Sequence, residues 1–96
     1  MTERSFQASV IELCELFGIA YYHTYDSRRS AKGWPDLAIC GKRGFIAREL
    51  KSERGTVTAD QERWGEMLQR AGVSWDIWRP EDLRSGRVEA ELRAIR

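Results

Sequence analysis

The sequence predicts an α/β domain in which a helix, three strands, a second helix, a fourth strand and a terminal helix follow one another. Three observations lead there. Apolar residues recur at helical spacing in 5–18 and 58–71. Aromatic and β-branched residues concentrate in 19–25 and 73–79, as strands require. Between them, GWPDLAICGKRGFIARELK (Gly33 to Lys51) holds two apolar runs joined by a short turn with glycine at both ends. The chain has 96 residues, enough for a single domain spanning 1–96.

The first helix is expected from Ser5 to Gly18, with Thr2 as N-cap and Gly18 as the stop. Phe6, Val10, Leu13 and Phe17 form its apolar stripe. Glu3 falls on the edge of that stripe with Gln7 beside it, whereas Glu12 and Glu15 point away. Glu3 is thus either a first-turn carboxylate suited to the helix dipole or an acid aimed at the sheet.

Ile19 to Tyr25 reads as the first strand and carries the only histidine, His23, which is either a packing residue or a substrate contact. Residues 26–33 form a polar loop with Arg28, Arg29 and Lys32 and no apolar anchor of its own. The second strand runs to Cys40 from Pro35, a residue tolerated at a strand start. The third runs from Phe45 to Lys51 and alternates Phe45, Ala47, Glu49 and Lys51 against Ile46, Arg48 and Leu50. So short a turn makes the two antiparallel, which brings Asp36 close to Glu49 and Lys51.

Thr58 to Ala71 is the second helix, with Trp64, Met67, Leu68 and Ala71 as its expected buried stripe. Thr58 and Gln61 fit a capping box. Val73 to Arg79 alternates as a last strand, and Pro80 stops it. Trp78, on the other face from Trp75, is either core or surface for a second copy. A short turn and a terminal helix on Val88, Leu92 and Ile95 complete the chain.

The bulk properties exclude some classes. No apolar run approaches the roughly 20 residues needed to span a bilayer, and the charged N-terminus MTERSFQASV has no signal-peptide pattern. Cys14 and Cys40 each sit in an apolar run and read as buried thiols, which points to a cytoplasmic location. Net charge is only +1, yet residues 27–55 hold eight basic residues against three acidic ones. That local surplus around Asp36, Glu49 and Lys51 suits an anionic substrate.

Asp36, Glu49 and Lys51 are the residues whose types and placement suggest chemistry. Carboxylates gathered at one point repel unless a cation lies between them. Mg²⁺ fits, because it takes oxygen ligands and few protein carboxylates. Asp36 and Glu49 would supply two ligands, the Leu50 backbone carbonyl another, and Glu3 a third carboxylate or a hold on water. Lys51 would orient the attacking water or stabilise charge on phosphate oxygens. The set suits phosphodiester hydrolysis.

The order Glu3, Pro35-Asp36, Glu49-Leu50-Lys51, Gln61 resembles the PD-(D/E)xK nuclease superfamily. His23-Thr24-x-Asp26-Ser27-Arg28-Arg29, Gly33-x-Pro35-Asp36-Leu37, Glu49-x-Lys51 and Gln61-x-x-Trp64 are similar to the VRR-NUC (virus-type replication–repair nuclease) family in its small phage and prophage form. This resemblance implies a restriction-endonuclease-like αβββαβ core, with a central mixed sheet flanked by helices. It implies Mg²⁺- or Mn²⁺-dependent DNA cleavage by a homodimer, selective for branched DNA such as Holliday junctions, in a bacterial host cytoplasm. By position, Asp36 and Glu49 match the metal ligands, Glu3 the helix-borne glutamate, Lys51 the catalytic lysine and Gln61 the glutamine near the site. His23, Ser27, Arg28, Arg29 and Lys32 would contact DNA. A flap- or end-processing nuclease of the same chemistry, and a non-catalytic DNA-binding module, are the alternatives.

Overall fold

The computed structural model describes residues 1–24 and 29–96. Helix α1 (Glu3–Leu16) leads into β1 (Ala20–His23), β2 (Leu37–Gly41) and β3 (Gly44–Leu50). Then come α2 (Ala59–Arg70), β4 (Ser74–Trp78), α3 (Pro80–Arg84) and α4 (Arg87–Ile95). The four strands form one mixed sheet in the order β1-β2-β3-β4, a mixed α/β arrangement as expected. The β1–β2 and β2–β3 pairs are antiparallel, and β3–β4 is parallel, connected through α2.

Local chemistry sets the element ends. Thr2 caps α1 with its hydroxyl on the Ser5 amide, and Gly18 takes the left-handed conformation (φ 68°) that stops it. The Thr58–Gln61 capping box opens α2, with the Thr58 amide donating to Gln61 Oε1 at 2.9 Å. Lys42 and Arg43 alone join β2 to β3. Tyr25, the expected end of the first strand, lies outside the described residues.

The main core lies between α1, α4 and one face of the sheet. Phe6, Val10 and Cys14 of α1 meet Leu37, Ile39, Ile46, Leu50, Trp78, Val88 and Leu92 there. Trp78 is fully buried and its indole Nε1 donates to Glu91 at 3.1 Å, so it belongs to the core and offers no surface to a second copy. Arg48 is also buried on this face. Its guanidinium donates to Glu91 Oε1 and to the carbonyls of Ser74 and Ala47, and it stacks on Trp78. These bonds compensate the desolvation of a buried cation.

The opposite face is covered by α2, but differently from the expected stripe. Met67 is 41 % exposed and Ala71 is exposed, while Gly65 is the buried residue of the helix. A Cβ on Gly65 would sit 2.6 Å from the Trp75 ring. The facing row is therefore Gln61, Trp64, Gly65 and Leu68, centred on the glycine that lets the helix approach. Trp64 and Leu68 of the expected stripe lie in it, half-buried, while hydrophobicity alone passes over Gly65, because the closest contact has no side chain.

Cys14 is buried, but Cys40 is exposed, contrary to its apolar surroundings in the sequence. Strand alternation explains this: Leu37 and Ile39 face the core, and Cys40 projects to the other face, beyond the reach of α2. Among the described residues, no helix is long and apolar enough to cross a membrane.

Candidate active site

The hairpin brings Asp36 and Glu49 face to face. Its ladder pairs Leu37 with Arg48. One step further along the same register sets Asp36 opposite Glu49, and directly opposed residues share a sheet face with Cβ atoms roughly 5 Å apart. Asp36 is held from both sides. Its carboxylate Oδ2 accepts the Leu50 amide at 2.8 Å, and its carbonyl accepts the Thr24 amide at 3.2 Å. The Thr24 hydroxyl also donates to the Pro35 carbonyl at 3.3 Å. In an extended strand a residue's N–H and C=O point to the same edge, so the Leu50 carbonyl lies on the Asp36 side as well.

Glu49 is completely buried. Gln61 Nε2 donates to its Oε1 at 3.1 Å, while Oε2 is buried without a hydrogen-bond partner. Burial pushes the Glu49 carboxyl from the usual 4.5 up to about 9. Asp36, close enough to attract a proton on Glu49, adds to the rise through hydrogen bonding and charge. The Lys51 ammonium opposes it, and the negative charge of Glu3 adds a little more. Hence the isolated site holds its acid as a neutral carboxyl at neutral pH.

Gln61 serves two purposes at once. Its carbonyl completes the capping box of α2, and its amide fixes Glu49. Lys51 follows Glu49 by two positions on the same face and is 8 % exposed. Its amide donates to the Trp78 carbonyl at 3.0 Å, which ties this end of β3 to β4. The loop after it is held by a residue that the sequence pattern did not single out. Arg79 Nη1 donates to the carbonyls of Ser52 (2.7 Å), Glu53 (3.3 Å) and Gly55 (2.8 Å). A polar residue ending a strand carries no sequence signal of such a contact.

The remaining expected residues are placed less centrally. Glu3 is exposed in the first turn of α1. Among the described residues, no three or more His, Cys, Asp or Glu side chains gather closely enough to hold a metal ion. The site as it stands is thus a carboxyl pair, with Glu3 acting on it through charge. His23 is half-buried, with Gln7 Nε2 at 3.5 Å from its Nδ1, which links β1 to α1. Ser27 and Arg28 lie outside the described residues. Arg29 is exposed, and Lys32 is 90 % exposed, 3.6 Å from Asp60.

The end of this loop does have an anchor. Gly33 (φ 87°) packs so closely on the α2 backbone that a Cβ would lie 2.4 Å from the Asp60 carbonyl carbon. Trp34 meets Trp64 edge to face at 4.9 Å. Likewise, the basic residues clustered along the chain do not form one patch. Arg48 is spent on the core network, and Lys42 and Arg43 sit at the opposite end of the hairpin from Asp36.

The donor set fits a hard divalent cation. Two facing carboxyl groups and a backbone carbonyl on the same strand edge are oxygen donors, and apart from the facing Asp36 carboxyl no protein group partners Glu49 Oε2. A cation there would replace the proton that Glu49 otherwise keeps. Compared with protein-family models, curated proteins and solved structures, the chain matches none.

Proposed function

We propose that this chain is a divalent-metal-dependent endonuclease that hydrolyses phosphodiester bonds in DNA. The observation that supports it is the buried Glu49 carboxyl opposite Asp36, with one oxygen that no protein group other than the facing Asp36 carboxyl partners. A buried acid in that position needs a proton or a cation. Asp36, Glu49 and the Leu50 carbonyl would hold Mg²⁺ or Mn²⁺, with Glu3 beside them.

When bound, the ion supplies Lewis-acid polarisation of the phosphate and a water of lowered pKa. Glu49 would hold the ion as a carboxylate, its proton released to solvent, and Gln61 would keep that carboxylate in one orientation. Lys51, on the same strand face, stabilises the negative charge that develops on the phosphate oxygens. The loop clamp from Arg79 fixes the backbone that follows Lys51.

The motif order carries the finer part of this reading. It supports a restriction-endonuclease-like core of the VRR-NUC kind, acting as a homodimer on branched DNA. Two sites related by a two-fold axis match the symmetry of a four-way junction. Exposed Lys32 supplies a phosphate contact beside the site.

The test is cleavage of labelled four-way junction, flap and linear duplex DNA with Mg²⁺. Junction cleavage is expected, reduced by about 100-fold or more in Glu49→Gln and in Lys51→Ala, with binding retained. Full activity in both variants overturns the hydrolytic reading. Equal cleavage of linear duplex and junction removes the branch selectivity.

A further inference from the structure

We infer that Trp34 is a stacking site for an unpaired nucleobase next to the Asp36–Glu49 pair. The inference rests on the reading of DNA as substrate and names the strand conformation that the site would select.

Trp34 precedes Asp36 by two residues, a backbone reach of at most about 7 Å. Its partner Trp64 follows Gln61 by three positions on α2, hence on the same helix face roughly 5–6 Å away. Gln61 in turn donates to Glu49. The aromatic pair therefore lies two residues from Asp36 along the segment leading into β2, and one helical turn from Gln61 along α2.

The geometry leaves an aromatic surface open. The two rings meet at 84°, with centroids 4.9 Å apart. Trp34 is still 37 % exposed, unlike fully buried Trp78. Trp64 holds the ring, and the backbone that carries it is fixed before any ligand arrives. Gly33 is packed against the Asp60 backbone, and the Trp34 amide donates to the Ala31 carbonyl at 3.1 Å. A fixed aromatic face loses little freedom on binding.

Cations frame it. Lys32 is 90 % exposed, and Arg63, one residue before Trp64, is 64 % exposed; both lean on Asp60. An exposed aromatic ring flanked by basic side chains is the combination that binds single strands, the ring by stacking and the cations on the phosphates. A base inside a duplex is already stacked on its neighbours. Only a base freed at a branch, flap or end can use Trp34, so the ring favours DNA with unpaired residues at the scissile position.

The experiment uses the full chain in EDTA with oligonucleotides carrying one 2-aminopurine or one 5-iodouracil at an unpaired position. Wild-type protein is expected to change the 2-aminopurine fluorescence, and ultraviolet crosslinking should map 5-iodouracil to Trp34. Trp34→Leu should lose the fluorescence change and bind unpaired strand about 5- to 100-fold more weakly, while Trp34→Phe keeps part of both. Duplex binding should move far less. Crosslinks that avoid Trp34 in the wild-type protein overturn the inference even if Trp34→Leu fails to fold. A folded Trp34→Leu with undiminished signal and affinity overturns it too.

The two readings separate cleanly. Mg²⁺-dependent cleavage with no role for Trp34 overturns this inference and leaves hydrolysis standing. Stacking on Trp34 without any cleavage supports it and overturns hydrolysis.

Discussion

Gln61 Nε2 donates to Glu49 Oε1 at 3.1 Å while Gln61 Oε1 accepts the Thr58 amide at 2.9 Å. One side chain thereby couples the start of α2 to the buried acid of β3. Because the two contacts use different atoms, they are separable by mutation. Thr58→Ala removes only the hydroxyl that accepts the Gln61 amide at 3.2 Å, leaves both Gln61 side-chain contacts in place, and should lower stability by about 1 kcal/mol with activity largely kept. Gln61→Glu keeps a residue suited to the capping box but turns a donor toward Glu49 into a carboxylate. It should fold and lose most activity. Urea unfolding and cleavage rates measured side by side check both expectations.

Glu49 gives a pH dependence whose sign follows from its burial. Its folded value, about 9, lies above the ordinary 4.5. Between these values the folded state binds the extra proton, so stability from this group is complete at low pH and is lost as pH rises toward 9. In EDTA, the melting temperature should fall from about pH 6 to about pH 9, and Glu49→Gln should flatten that slope. Added Mg²⁺ or Mn²⁺ should raise the melting temperature more at the alkaline end, because the ion must displace the proton. A wild-type slope identical to that of Glu49→Gln would contradict the assignment.

Gly65 is where α2 touches the sheet most closely. In an isolated helix, Gly65→Ala would gain up to about 1 kcal/mol of propensity. Here the new Cβ meets the Trp75 ring at 2.6 Å, so the half-buried indole or the helix itself must shift. The substitution should destabilise by about 1–3 kcal/mol in urea unfolding, the range for overpacking. It should also weaken activity, since the same helix carries Gln61.

Glu91 of α4 is the acceptor shared by Arg48, Arg87 and Trp78. Glu91→Ala leaves the Arg48 guanidinium buried without its anionic partner and should destabilise by about 3–5 kcal/mol. The exposed Glu89–Arg93 pair of the same helix is the control. Glu89→Ala should cost under about 1 kcal/mol. Thermal or urea unfolding of the two variants distinguishes a built ion network from surface charge.

Much of the secondary structure was legible because it rests on short-range rules. Thr2 and Thr58 cap helices through neighbours three residues away, Gly18 stops one by its conformation, and two residues between β2 and β3 force an antiparallel pair. The opposition of Asp36 and Glu49 follows from the same local arithmetic, since a tight turn sets the register and the register sets the partners.

What depends on contacts between distant segments was not legible. Cys40 and Trp78 both lie in apolar runs, yet one is exposed and the other buried. The difference is which sheet face a helix covers, which alternation alone does not say. The α2 stripe shifted because Gly65 made room for Trp75. Alternation sets Arg48 on the face away from Glu49 and Lys51, but that its guanidinium is spent there on Glu91 of a distant helix was not legible.

The sequence by itself determined the order of elements from α1 to β4, the caps of α1 and α2 and the hairpin that sets Asp36 against Glu49, whereas it placed only a turn where α3 stands. Tertiary packing alone decided that Glu49 is sealed from water, that Gln61 reaches it and that Trp34 rests on Trp64. Local pattern encodes direction along one strand or helix. The dielectric around a carboxyl group, and hence its proton affinity, is set by everything packed over it.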